Sequence, residues 1–256
     1  MQSIEYLPFI ILLAFGLYTL KRFELFDLFR IAFLSREKRW KFKNFFSKHF
    51  NYFNQLSDKE KDIFIVRAYR LINSIKIIGR KDFEVTINEK LYVIAAYIQL
   101  TFGFKYYKLP KFHTILVYPD AFRNQFTGNM HYGEVNAKGI IVLSWKRLVK
   151  GFAIPDDKIN LGLHEMAHAL MHTIIYSDDH EYGLDPFLRD IVRLSKIEME
   201  KIRSDNYHFF RKYAGTNIYE FFAIAVEYFF EVPKEFKNEL PTLYQFMVKL
   251  LKQEPA

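Results

Sequence analysis

Two histidines four residues apart, with a glutamate directly after the first, stand inside an apolar run: Leu163-His164-Glu165-Met166-Ala167-His168-Ala169-Leu170. On an α-helix, residues i and i+4 share a face. His164 and His168 can therefore direct imidazole nitrogens at one Zn²⁺ while Glu165 reaches a water bound to it. That is the core of a metal-dependent peptide-hydrolysing site. The chain has no cysteine, which excludes thiolate metal sites, cysteine nucleophiles and disulfides. Any metal falls to histidines and carboxylates.

A catalytic zinc takes three protein ligands and keeps a position for water. The extended pattern that supplies a third histidine needs Gly and then His where this chain has Met171 and Ile174, so that class is excluded. His172 continues the face of His164 and His168 by one turn; as a third ligand it would require the helix to approach the metal along three turns, so a place beside the site or at the surface is favoured over ligation. Among downstream carboxylates Glu220 stands out, in the apolar segment Asn217 to Glu227. Burying an unpaired carboxylate there is costly unless a metal or hydrogen bonds compensate. Asn217 and Glu220 equally fit an N-cap and N3 pair. Spacing alone leaves both readings open.

The elements that must position these residues can be read from period and punctuation. Pro155-Asp156-Asp157 is expected to start the motif helix, which runs to about Tyr176. Upstream, Ser57-Asp58-Lys59-Glu60 and Thr86-Ile87-Asn88-Glu89 have the form of capping boxes. They predict helices to about Gly79 and about Gly103. Thr114 to Tyr118 and Ile140 to Leu143 are short β-branched runs bounded by Pro, Asp and Gly, hence strands. Phe122 to Gly139 between them is rich in Gly and Asn and reads as a loop or irregular hairpin. It holds His131 and Glu134, and such a loop could form a substrate edge or drop a side chain on the metal. Beyond a polar turn at Asp178 to Glu181, Asp185-Pro186 opens a helix to about Arg203. Helices over about 218–231, 233–238 and 241–253 complete an α+β domain.

Composition bounds the rest. Half of the 256 residues are apolar, ample for a core, and the 28 Phe and 17 Tyr recur at helical spacing beside Leu and Ile, which reads as packing. The net charge of +8 is uneven: residues 21–150 carry +14 and residues 151–256 carry −5. The basic half follows Tyr6 to Leu20, an uncharged run closed by Lys21-Arg22. The run is short for a bilayer span, and a buried core helix is its competing reading. A cleaved signal peptide is disfavoured because Glu5 stands where basic residues belong and no cleavage site follows. The basic residues after the run predict a single membrane anchor with the remainder cytoplasmic. Residues 23–54 alternate Phe and Trp with Lys and Arg. They suit either an amphipathic helix on an anionic lipid surface or a linker helix packing its Phe side chains on the domain. A solvated basic surface is an equal alternative, and no nucleic-acid recognition motif is visible.

Four blocks together resemble the Mlc titration factor A family of zinc-dependent peptidases, whose catalytic core is similar to that of anthrax lethal factor. They are ILVYPDAF at 115–122, GEVNAKGIIVLSW at 133–145, LGLHEMAHAL at 161–170, and YEFFAIAVEYFFEVP with PTLYQF within 219–246. The resemblance covers about residues 55–254. It implies a mostly helical, zincin-like fold with a small β-sheet, a Zn²⁺ cofactor, and Glu220 as third metal ligand beside His164 and His168. It implies Glu165 as general base and Tyr213, seven residues before Glu220, as hydrogen-bond donor to the tetrahedral intermediate. A loop histidine of the family is thought to fill the metal's open position at rest. His131 lies in the corresponding, shorter loop, as a further metal ligand or a substrate-site residue. The family's usual Asp three residues after the second motif histidine is here Met171. The expected organisation is an anchor at 1–22, a basic aromatic linker helix at 23–54 and a zincin-like peptidase domain at 55–256. The expected function is that of a membrane-anchored zinc peptidase acting on a peptide or protein. The alternative is a regulatory protein that sequesters a partner such as a transcriptional repressor, its zinc structural or vestigial.

Overall fold

The computed structural model of the chain describes residues 6, 35–124, 128–176, 185–204 and 207–255. Its helices are α1 (Arg36–His49), α2 (Asn51–Gln55), α3 (Asp58–Ile72), α4 (Ile87–Thr101), α5 (Trp145–Ala153), α6 (Leu161–Tyr176), α7 (Asp185–Ser204), α8 (Ile218–Glu231), α9 (Pro233–Glu239) and α10 (Pro241–Leu251). The strands are β1 (Lys76–Gly79), β2 (Thr114–Tyr118), β3 (Phe122–Arg123), β4 (Met130–His131), β5 (Gly133–Val135) and β6 (Ile140–Ser144). Mostly helical with a small sheet, the chain has the α+β composition expected. Four strands lie in the order β1-β2-β6-β5, with β1, β2 and β6 parallel and β5 antiparallel to β6; β3 and β4 form a separate two-stranded ribbon.

Both capping boxes form: the Ser57 and Thr86 hydroxyls accept backbone N–H groups, and Glu60 and Glu89 bond back to the cap N–H groups at 2.8 and 2.9 Å. The helix expected to reach Gly79, however, stops at Ile72. Ser74 and Ile75 both donate to the Leu71 carbonyl, and Lys76 to Gly79 become β1 instead. The β-branched pair Ile77-Ile78 suits a strand, and pairing with β2 satisfies backbone groups there. Joined by α4, β1 and β2 make one βαβ unit. At Gly79 an added Cβ would come within 1.6 Å of the Phe83 carbonyl oxygen, so glycine alone allows the chain to double back there.

A second correction concerns the motif helix. It begins at Leu161, not at Pro155, because Lys158 adopts a left-handed φ of 64° that no helix interior contains. Asn160 caps it, its side-chain oxygen accepting from Leu163 N at 3.1 Å. Helix α5, capped by Ser144, is an addition to the expected helices, although Trp145, Leu148, Val149 and Phe152 recur there at helical spacing. The described part of 122–139 holds β3, β4 and β5.

The core is one cluster, and it includes the aromatic residues of α1 and α2. Phe42, Phe46, Phe50 and Phe53 are buried, and the Phe46 ring meets Phe64 of α3 edge-on at 4.9 Å. Of the two readings of this basic segment, the described part follows the one in which the phenylalanines pack on the domain. Its charges lie outside, where Arg39 pairs with Asp62 and Lys43 lies 3.8 Å from Asp58. Among the described residues no helix is long and apolar enough to cross a membrane. Apart from Tyr6, the run 6–20 lies outside the described residues, as do residues 23–34 and the polar turn at 178–181.

Removing a fully buried aromatic from a packed core leaves a cavity worth about 3–5 kcal/mol. Phe46→Ala should therefore cost about that much in urea unfolding of the whole chain. A loss below about 1 kcal/mol would place α1 outside the cooperative core.

Candidate metal centre

Helix α6 can bring its histidines deep into the molecule because small residues let it lie close to its neighbours. A Cβ on Gly162 would come 2.7 Å from Leu148 Cδ1 and 2.9 Å from Ala96 Cβ. One turn on, His164 and His168 stand with rings perpendicular and Nε2 atoms 3.1 Å apart. Helix α8 packs across them with its face from Phe221 to Phe229 buried. Its cap is Asn217, whose side-chain oxygen accepts from Tyr219 N and Glu220 N at 2.9 and 3.0 Å. The Glu220 carboxylate turns to the histidines. Oε2 lies 3.1 Å from His164 Nε2, and Oε1 lies 3.5 Å from His168 Nε2.

Among the described residues, His164, His168 and Glu220 are the cluster of His and carboxylate side chains close enough to hold one metal ion. The spacing tests the fit. Three ligands at zinc bond lengths of 2.0–2.1 Å and tetrahedral angles sit about 3.3 Å from one another; here the two Nε2 atoms are 3.1 Å apart, and the Glu220 carboxylate meets them through different oxygens, Oε2 at 3.1 Å from His164 and Oε1 at 3.5 Å from His168. Glu220 Oε2 is buried yet receives no well-directed hydrogen bond. Two imidazole nitrogens and a carboxylate oxygen are a donor set that zinc accepts. The residues fit the metal.

A fourth residue, quoted in the sequence only as part of an apolar helix, orders this cluster. Glu227, two turns beyond Glu220, is 1% exposed. It accepts hydrogen bonds from His164 Nδ1 at 2.7 Å, Asn160 N at 2.8 Å and Arg211 Nη2 at 2.5 Å. The bond to Nδ1 leaves His164 Nε2 facing Glu220 and His168. The available signal was a second carboxylate seven residues along the same apolar helix, hence on the same face.

Glu165 is buried beside the cluster, and one of its oxygens, Oε2, has no partner. Burial foremost, then the negative charges of Glu220, Glu227 and Glu134, push its pKa up to about 8. Burial alone would depress His164, but the neighbouring carboxylates of Glu220 and Glu227 outweigh that and raise it to about 10. His168, buried next to a cationic His164, falls to about 4. Burial opposes ionisation of Glu220, yet the two histidines and the Tyr213 hydroxyl hold it below the usual carboxylate range. Tyr213 sits on a 3-10 turn, Lys212 to Gly215, and is half exposed; burial and Glu220 raise its pKa, which keeps the hydroxyl neutral.

These groups floor an open cleft of about 340 Å³. One wall is β5, an edge strand of the sheet among the described residues. Tyr132 O accepts from Ser144 N and Asn136 N donates to Ile140 O, so the alternation of an antiparallel ladder turns Glu134 toward β6. It leaves the peptide groups of Gly133 and Val135 facing outward. A Cβ at Gly133 would stand 2.2 Å from Glu165 Oε1, so this strand can lie on the glutamate only as glycine. His131 lines the same cleft with its ring against Phe122 but is not part of the three-residue cluster. His172 also lines the cleft, its ring edge-on to Phe112 and beside Tyr176, and it too stands outside the cluster. Met171 is fully buried in the core, so no carboxylate acts from that position.

The profile of the glucose-regulated metallo-peptidase M90 family matches residues 33–252. The Synechocystis protein slr2042 is 26% identical over 227 residues, 80% of each chain. Proteins named Mlc titration factor A from Yersinia pestis and Yersinia pseudotuberculosis are 25% identical over 229 residues, 78% of this chain and 80% of theirs.

Metals bind neutral imidazole, and His164 in the metal-free protein holds its proton up to about pH 10. Zinc uptake at pH 7.5 should release at least about one proton, seen by calorimetry in buffers of different ionisation enthalpy. Affinity should rise with pH through the neutral range. In the same titration Glu227→Gln should weaken zinc binding about 10- to 100-fold; unchanged affinity would remove Glu227 from the assembly of the site.

Proposed function

The chain belongs to the M90 family of glucose-regulated metallopeptidases, and on that premise we propose that it is a zinc-dependent peptidase using His164, His168 and Glu220 as metal ligands. The observation that carries this reading is the convergence of the two Nε2 atoms and the Glu220 carboxylate, with contacts of 3.1–3.5 Å, beside a buried glutamate with one unpartnered oxygen. Zinc held there would supply Lewis acidity, lowering the pKa of its water and polarising the substrate carbonyl. Glu165 takes the proton of the attacking water and passes it to the leaving amine. Tyr213, neutral and already within hydrogen-bond reach of Glu220, donates to the oxygen on which charge develops. The outward peptide groups of Gly133 and Val135 pair with an extended substrate, adding a strand to the sheet. His131, at the cleft wall, is assigned a substrate contact.

A second reading draws on the relatives named for titrating Mlc: the chain binds a regulatory protein partner, with its metal structural. It differs in outcome, since the zinc-loaded protein would then hold its partner and cleave no peptide. An open cleft and three converging ligands favour the first reading.

Glu165→Gln should keep one equivalent of zinc and lose at least about 100-fold in kcat/KM, whereas Glu220→Ala should lose the zinc itself by elemental analysis. Hydrolysis at the wild-type rate in zinc-loaded Glu165→Gln would sink the assignment.

The reading extends to location on sequence grounds alone: the uncharged run 6–20 followed by Lys21-Arg22 tethers the chain to a membrane, with the site on the cytoplasmic side. The chain should then sediment with membranes through an alkaline carbonate wash. Release into the soluble fraction would refute the tether.

A further inference from the structure

The charge of the cleft is not balanced. Glu220 faces the two histidines, and Glu165 is the proposed base, which leaves Glu134 among the lining carboxylates without a task in the reaction. Among the described residues no Lys or Arg lines the cleft. The Glu134 carboxylate accepts one hydrogen bond, from the neutral Asn124 amide at 2.6 Å, and no ion pair engages it among the described residues.

The ladder fixes where this carboxylate would meet a substrate. Side chains alternate across a strand, and the Cβ side of Gly133 faces Glu165, so Glu134 stands on the opposite face of β5. Glu134 spends its own peptide groups on β6, opposite Val142. A peptide paired antiparallel through Gly133 and Val135 therefore places one residue directly across from Glu134, in a pair without hydrogen bonds. Such pairs have Cβ atoms about 4.5–5.5 Å apart and side chains on one face. Opposite charges in that position attract and like charges repel, in each case modestly at an exposed edge.

We propose that Glu134 is a specificity residue that selects substrates with a Lys or Arg side chain at the position paired across from it and disfavours Asp or Glu there. The inference rests on the peptidase reading, because it requires an extended peptide along β5. It adds a substrate class: segments carrying a basic residue at one fixed distance from the scissile bond.

The test uses the zinc-loaded full chain and extended peptides that differ only in Lys, Gln or Glu, scanned position by position. At one position the wild type should prefer Lys over Glu by roughly 2- to 30-fold in kcat/KM. Glu134→Gln should bring that ratio close to one, and Glu134→Lys should invert it, at the same position. A structural role would lower both rates together and leave the ratio fixed, and a fixed ratio in both variants overturns the proposal. Binding of the same peptides to zinc-loaded Glu165→Gln separates the two hypotheses. Charge-selective binding that inverts with Glu134→Lys, without hydrolysis by the wild type, sinks the peptidase reading and supports the role of Glu134. Hydrolysis with no charge preference at any position does the reverse.

Discussion

The buried carboxylate of Glu227 holds the site together. A carboxylate 1% exposed is tolerable only when its oxygens are met by donors, and three donors meet it. Asn160 N lies at the start of α6, His164 Nδ1 is on α6 itself, and Arg211 precedes the turn that carries Tyr213. Satisfying one carboxylate therefore fixes the start of the motif helix, the ring of His164 and the approach of the tyrosine at once. Arg211 reinforces this with a bond to the Lys158 carbonyl, and Arg203 Nε holds the far end of the same turn through the Gly215 carbonyl at 2.7 Å. Glu220, on the helix that carries Glu227, is brought to the histidines by the same packing.

Around this centre the division of labour is spatial. Parallel strands and the helices packed on them form an apolar body. The antiparallel edge strand β5 and the turn before α8 bring polar groups to one open cleft. The basic N-terminal third contributes to the body through phenylalanines, not through its charges: Phe46 and Phe53 are fully buried, while Trp40 on the opposite face of α1 is 66% exposed.

Much of this was legible from residue order. Helical period put His164 and His168 on one face, both capping boxes opened the helices they announced, and β-branched runs marked β2 and β6. The failures have common causes. Lys76 to Gly79 follows the helix after only Asn73, Ser74 and Ile75, a break without Gly or Pro, so local pattern could not distinguish a short edge strand from a further turn. Pro155-Asp156-Asp157 carries helix-start chemistry, but the left-handed Lys158 breaks the path, and the true cap is Asn160. Glu220 was ambiguous because the N3 position of a helix and a metal ligand ask for the same residue type. Only tertiary packing shows Asn217 capping alone while the carboxylate turns away. Glu227 was unreadable as a partner of His164 because its significance lies in a contact 63 residues distant in the chain.

The exposed edge of β5 has a consequence for self-association. An unpaired strand edge that accepts a substrate peptide can accept the same edge of another copy, the ordinary route to sheet-mediated aggregation. Here the edge is three residues long with Glu134 at its centre. Two copies docking antiparallel about that centre would set Glu134 against Glu134, a like-charge pair that opposes the contact. One carboxylate would thus keep the groove free for foreign chains by making it a poor partner for itself.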